Sequence, residues 1–140
     1  MITEEKINTE ELLAITDDKA GAIVTFFGAV RNHNLGEGVD YLEYEAYVPM
    51  GNKMIAKILA DAKERWGLHQ AACVHRIGKV GIGELAVAVI TLASHRKEAY
   101  EANEYIINTV KAEVPIWKKE YFSDGKVTWS DNDNKETKTL

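Results

Sequence analysis

Pro115 is the residue that most narrows what this chain can fold into. Proline has no N–H and a fixed φ, and it drives the residue before it out of the helical region, so a helix reaching Val114 must stop there. The spacing predicts such a helix from about Arg96 to Glu113, with Ala99, Ala102, Ile106, Ile107 and Val110 as its inner stripe. A strand, Ile116 to Ser123, leaves the break. Alternate residues of a strand share a face, so Ile116, Lys118 and Glu120 look one way while Trp117, Lys119 and Tyr121 look the other. Lys111 and Lys118 therefore flank one proline turn, and two readings are open. They are solvated, as lysine pairs usually are, or burial and neighbouring charge turn them to chemistry as bases or nucleophiles.

The rest of the chain supplies strands and one more long helix. A short helix from Thr9, its expected cap, runs to about Thr16. Ala20 to Phe27 and Val39 to Ala46 read as strands, expected to pair as a hairpin with a long polar tip, Gly28 to Gly38. Pro49 suits a helix start and Gly67 a stop, with Met50, Met54, Ile55, Ile58, Leu59, Ala62 and Trp66 at helical spacing between them. Ala71 to Ile77 is a further strand, and Gly78 to Gly83 reads as a turn-rich connection. Glu84 to Ala93 is apolar on both faces, the pattern of a central strand covered from both sides. Asp124-Gly125 closes a C-terminal hairpin between Ile116–Ser123 and Lys126–Ser130. Residues 131–140 are polar and expected to be a mobile tail. Without a regular strand–helix–strand alternation, the expectation is an α+β fold with a mixed or antiparallel sheet and two main helices, residues 1–140 forming one domain.

Composition closes off several function classes. The chain has 140 residues, 46% hydrophobic and 28% charged, which is ordinary globular usage. A net charge of −5 argues against a nucleic-acid protein, so any anion site must be local. One cysteine, Cys73, allows no internal disulfide, and no apolar run reaches membrane-spanning length; a cytoplasmic protein is expected.

Four stretches invite chemistry. The glycines at 78, 81 and 83 lack P-loop spacing and open a strand, where a phosphate loop opens a helix, so they read as a turn. Cys73 lies in an apolar strand, and His33, His69, His75 and His95 are scattered, so neither a thiol nucleophile nor a metal site is expected. His75 with Arg76 reads as a surface pair at a strand end. Ser94-His95-Arg96 sits where strand gives way to helix, and cations are disfavoured at a helix N-terminus. Either an anion sits among them, held by backbone N–H and guanidinium, or they are an indifferent solvated start. Arg31, after a strand and before a polar loop, could face a cleft.

Taken in order, Phe26-Phe27-Gly28-Ala29-Val30-Arg31-Asn32-His33-Asn34, Leu42-Glu43-Tyr44-Glu45-Ala46-Tyr47, His75-Arg76-Ile77-Gly78, Ser94-His95-Arg96 and Lys111 through Glu120 resemble the large, catalytic subunit of molybdopterin synthase, the MoaE family. The resemblance runs from about Ala20 to Trp129. It implies a hammerhead-like α+β fold and a sulfurtransferase of molybdenum cofactor biosynthesis. The implied substrate is cyclic pyranopterin monophosphate (precursor Z), converted to molybdopterin with sulfur from the C-terminal thiocarboxylate of a small ubiquitin-like subunit. A homodimer of large subunits within a heterotetramer is implied, with no cofactor or metal. Lys111 and Lys118 match the family's active-site lysines, Glu120 an acidic residue of the same pocket, and His95 and Arg96 its anion-binding pair. Arg31 matches a basic residue of the pterin-phosphate site, and Phe26 a position near it. One departure stands out: Ser130 and Asp131 follow Trp129 where the family commonly has a basic residue, leaving Lys135 or Lys138 as substitutes. Two other readings fit the residues, a non-catalytic module for a ubiquitin-like tail and an unrelated lysine-dependent lyase.

Overall fold

The computed structural model describes residues 1–131 and 137–139, arranged as two sheets with the helices packed on one of them. The elements in chain order are β1 (Ile2–Thr3), α1 (Thr9–Leu13), β2 (Ala22–Ala29), β3 (His33–Asn34), β4 (Glu37–Ala46), α2 (Val48–Trp66) and β5 (Gln70–Arg76). β6 (Gly78–Gly81), β7 (Leu85–Ala93), α3 (Arg96–Glu113), β8 (Ile116–Phe122), β9 (Val127–Asp131) and β10 (Thr137–Thr139) follow. A four-stranded mixed sheet has the order β1-β5-β7-β2, with β1 parallel to β5. The second sheet, antiparallel, runs β10-β9-β8-β4-β3, with β6 on β4. The α+β expectation holds, with α2 and α3 as the two long helices.

β7 is the central strand its apolar run predicted, buried from Ala86 to Ala93 and paired on both edges. α3 spans the predicted residues and ends as Pro115 requires: Val114 is extended, at φ −74° and ψ 133°. Its buried stripe also holds Asn103, whose Nδ2 donates to the carbonyls of Val24 and Val89 at 3.1 Å each. That amide ties the helix to β2 and β7 at once. α2 buries Gly51, Ile55, Ile58 and Ala62 and stops at Gly67, whose φ of 62° suits glycine. Met50 is exposed, outside this stripe. Among the described residues no helix is long and apolar enough to cross a membrane.

Several expectations are corrected. β2 and β4 do not form a hairpin: β2 is the edge of the mixed sheet, and β4 is the spine of the other, flanked by β6 and β8. The polar tip between them is itself a tight hairpin, β3 folding onto the start of β4 through Leu35 and Gly36 at φ 53° and 79°. Gly78–Gly81 is strand β6, held on β4 by its backbone, with Val80 fully buried and positive-φ glycines at 78 and 83 as corners. Asn8, not Thr9, caps α1, its side chain accepting from the Glu11 N–H at 3.1 Å. The expected mobile tail includes β10, which pairs with β9 and sets Lys138 opposite Trp129; Lys135 lies outside the described residues.

Candidate active site

The side chains that meet at one cavity come from elements far apart in sequence. Lys111 stands in the last turn of α3, where the helix dipole favours a cation. After the break at Pro115, β8 pairs with β4 so that Lys118 lies opposite Tyr44 and Glu120 opposite Leu42. Residues directly opposite in an antiparallel pair share a face, so these four face inward together. β2 runs out at a register shift between Gly28 and Ala29, which delivers Arg31 to the same place. The resulting cavity, about 270 Å³, is lined by Arg31, Lys111, Lys118 and Glu120 together with Phe26, Tyr44 and His75. Three cations and one carboxylate face a wall of apolar residues that includes Val39, Leu42 and Val87.

Lys119 is held on the other face of β8. Its Nζ lies 3.8 Å from both Glu43 and Glu45 and 4.7 Å from the centre of the Trp129 ring. The alternation expected of Ile116 to Tyr121 is therefore what separates a cavity lysine from an outer-face one.

The carboxylate of the cavity is held from another strand. Glu120 is 2% exposed, and Asn34 Nδ2 donates to its Oε2 at 2.7 Å. Tyr44, buried beside it, has its phenol pushed up to about 12, first by burial and then by the charge of Glu120. Its hydroxyl therefore stays protonated at neutral pH. His75 packs edge-on against Tyr44, ring centres 5.0 Å apart, with its Nδ1 2.8 Å from the Arg76 carbonyl.

His75 corrects the expectation of a surface pair, being 2% exposed and part of the cavity. The signal lay in β5, where His75 shares the buried face with Cys73 two residues earlier. Asn34 and Tyr44 were likewise missed as cavity residues, because their roles depend on partners 86 and 76 positions away in the chain. Cys73 itself is buried and its thiol is raised to about 11 by burial, as an inert core thiol.

His95 and Arg96 are not brought to this cavity within one chain. Both are exposed at the start of α3, whereas Lys111 is in its last turn. At 1.5 Å per residue the separation along the axis is roughly 22 Å. The expected anion at the helix start and the lysines at its end belong to opposite ends of one rod.

Fold and cavity define an α+β protein with a cation-lined pocket suited to a small anionic ligand. The chain belongs to the MoaE family, whose model, described as MoaE protein, matches residues 2–113. It is 49% identical over 126 residues to the molybdopterin synthase catalytic subunit of Bacillus subtilis, covering 89% of this chain and 80% of that one. The Staphylococcus aureus subunit of the same name is 45% identical over 125 residues, covering 89% and 84%. A crystal structure of molybdopterin synthase from Staphylococcus aureus superposes with a TM-score of 0.86 at 44% identity, over 92% of this chain and 94% of that one. A complex of subunits 1 and 2 of the molybdopterin-converting factor from Helicobacter pylori matches with a TM-score of 0.72 at 26% identity, covering 88% and 84%. As a member of the family, the chain is an enzyme subunit of molybdenum cofactor biosynthesis.

Proposed function

We propose that this chain is a cytoplasmic sulfurtransferase subunit, converting cyclic pyranopterin monophosphate to molybdopterin with sulfur from the C-terminal thiocarboxylate of a small ubiquitin-like subunit. The observation that carries the reading is the convergence of Lys111, Lys118 and Arg31 on one cavity of an otherwise acidic chain. A thiocarboxylate and a cyclic phosphate are both anions, and three cations around a partly apolar wall can hold them side by side. As the thiocarboxylate sulfur bonds to a pterin carbon, the C–O bond there breaks, its oxygen leaving as water or with the opened phosphate, and water then cleaves the acyl C–S bond to release the small subunit as a carboxylate. Lys111 and Lys118 stabilise the oxyanions that develop, and one of them, when deprotonated, assists attack or ring opening. Arg31 takes the phosphate, in the two-pronged geometry that guanidinium favours, and Phe26 stands at the rim against the pterin. The complex of two subunits solved for the Helicobacter pylori relative supports a small partner subunit here too. His95 and Arg96, exposed and at the far end of α3, would serve a cavity of a second large subunit in a homodimer, completing a heterotetramer.

Mixing the chain with a thiocarboxylated small subunit and the cyclic pterin phosphate, then assaying molybdopterin, tests this directly. Product is expected from the wild type. Binding of the small subunit without product would leave a tail-binding module, and indifference to that subunit would favour a lysine-dependent lyase of another kind.

A further inference from the structure

A carboxylate buried to 2% exposure must be held by hydrogen bonds, and Glu120 takes one from a side chain outside the set of cavity cations. Asn34 Nδ2 donates to Oε2 at 2.7 Å, a bond between residues 86 positions apart. The other oxygen, Oε1, is buried without a hydrogen bond among the described residues. Since a carboxylate accepts and an amide NH₂ donates, Asn34 decides which oxygen is committed and how the carboxylate plane is turned.

Asn34 is itself held still. It lies on β3, opposite Glu37, and the Leu35-Gly36 turn leaves no slack between the two strands. Glu37 bonds Lys126 Nζ at 2.7 Å. Next to it, the Ser123 N–H donates to the Gly38 carbonyl at 2.9 Å, and Ser123 Oγ donates to Asp40 at 2.8 Å. The short hairpin is thus pinned to the β8–β9 turn at several points, so its amide arrives at Glu120 from a fixed platform. Glu120 in turn shares the inner face of β8 with Lys118, two residues earlier, and both line the cavity.

We propose that Asn34 is a positioning residue for sulfur transfer: its amide fixes the Glu120 carboxylate, which sets the charge environment in which Lys118 acts. The inference rests on the proposed reading of the cavity. A residue acting this way changes the chemical step more than it changes the binding of either substrate.

The test uses the complete chain with its thiocarboxylated small subunit and the cyclic pterin phosphate. Asn34→Ala is expected to lower kcat about 10- to 100-fold, the size of a lost hydrogen bond to a charged group, with KM for both substrates near wild type. Asn34→Asp, the same shape with a donor exchanged for an acceptor, is expected to be at least as poor. In a Glu120→Ala background, Asn34→Ala should remove little more, because the group it positions is gone. Thermal unfolding of each variant confirms that it is folded, and the side-chain amide signal of Asn34 in a ¹⁵N spectrum should move in Glu120→Ala if the contact is present in solution. Wild-type kcat in Asn34→Ala or Asn34→Asp, or losses that multiply in the double variant, overturn the inference while leaving the proposed function standing. A wild-type chain that makes no product overturns both.

Discussion

At the scale of single residues, the arrangement turns on which face of β8 a side chain occupies. Lys118 and Lys119 are chemically identical neighbours, yet one lines the cavity and the other is engaged by Glu43, Glu45 and the Trp129 ring. Lys118→Ala is therefore expected to cost about 100-fold or more in molybdopterin formation, the scale of a lost transition-state donor. Lys119→Ala should stay within a few-fold of wild type, because its ion pairs lie outside the cavity and partly exposed pairs contribute little; equal losses in the two would remove the distinction. Tyr44 makes a second prediction. Its folded pKa of about 12 exceeds the ordinary 10.0, so the folded chain keeps a proton that the unfolded chain releases. That stability is fully present below pH 10 and is lost as pH rises through 12, up to about 3 kcal/mol. Denaturant melts of Tyr44→Phe should show a flatter decline between pH 10 and 12. Cys73, raised from 9.0 to about 11, adds a decline of its own between pH 9 and 11, which the Tyr44→Phe variant keeps.

At the scale of elements, α3 is the piece most strongly predicted by local pattern, and the proline break behaves as steric reasoning requires. The pattern did not anticipate Asn103, a polar residue in the middle of the buried stripe. Its amide bonds strand carbonyls of both β2 and β7, so it serves as a clamp between helix and sheet. Asn103→Ala is expected to lower stability by about 1–3 kcal/mol, from lost bonds and unpaired buried carbonyls, measured as a shift in the urea midpoint at unchanged slope. The hairpin expected between β2 and β4 failed for an instructive reason. Adjacent strands in sequence usually pair, but here β2 takes the edge beside β7, while β4 accepts β6 and β8 on its two sides. Sequence adjacency has nothing to say about that competition.

At the scale of the whole molecule, α3 is a rod with candidate anion-binding groups at both ends, His95 and Arg96 at one and Lys111 at the other. In the proposed homodimer each cavity would borrow the helix start of its neighbour. Chains carrying Lys118→Ala and chains carrying Arg96→Ala, each inactive alone, should then recover activity when mixed and allowed to exchange. Random exchange makes half the dimers mixed, each with one intact site, so about a quarter of wild-type activity is expected for a two-fold assembly. No recovery would mean that Arg96 serves its own chain or no site at all.

Whatever depends on short spacings was legible along the chain. Proline chemistry at 115, the period of α3, the double-sided apolarity of β7 and the alternation that sets Lys118 and Glu120 against Lys119 all act within a few residues. Those are steric and periodic constraints, and they survive without knowledge of the rest of the chain. Tertiary structure alone decided which strands share a sheet, that Asn34 closes onto Glu120, and that His75 and Tyr44 are buried behind the lysines. It also decided that His95 and Arg96 stand away from them. These are contacts between distant segments, settled by which pairing buries the most apolar surface and leaves the fewest polar groups unpaired, a balance no local window contains.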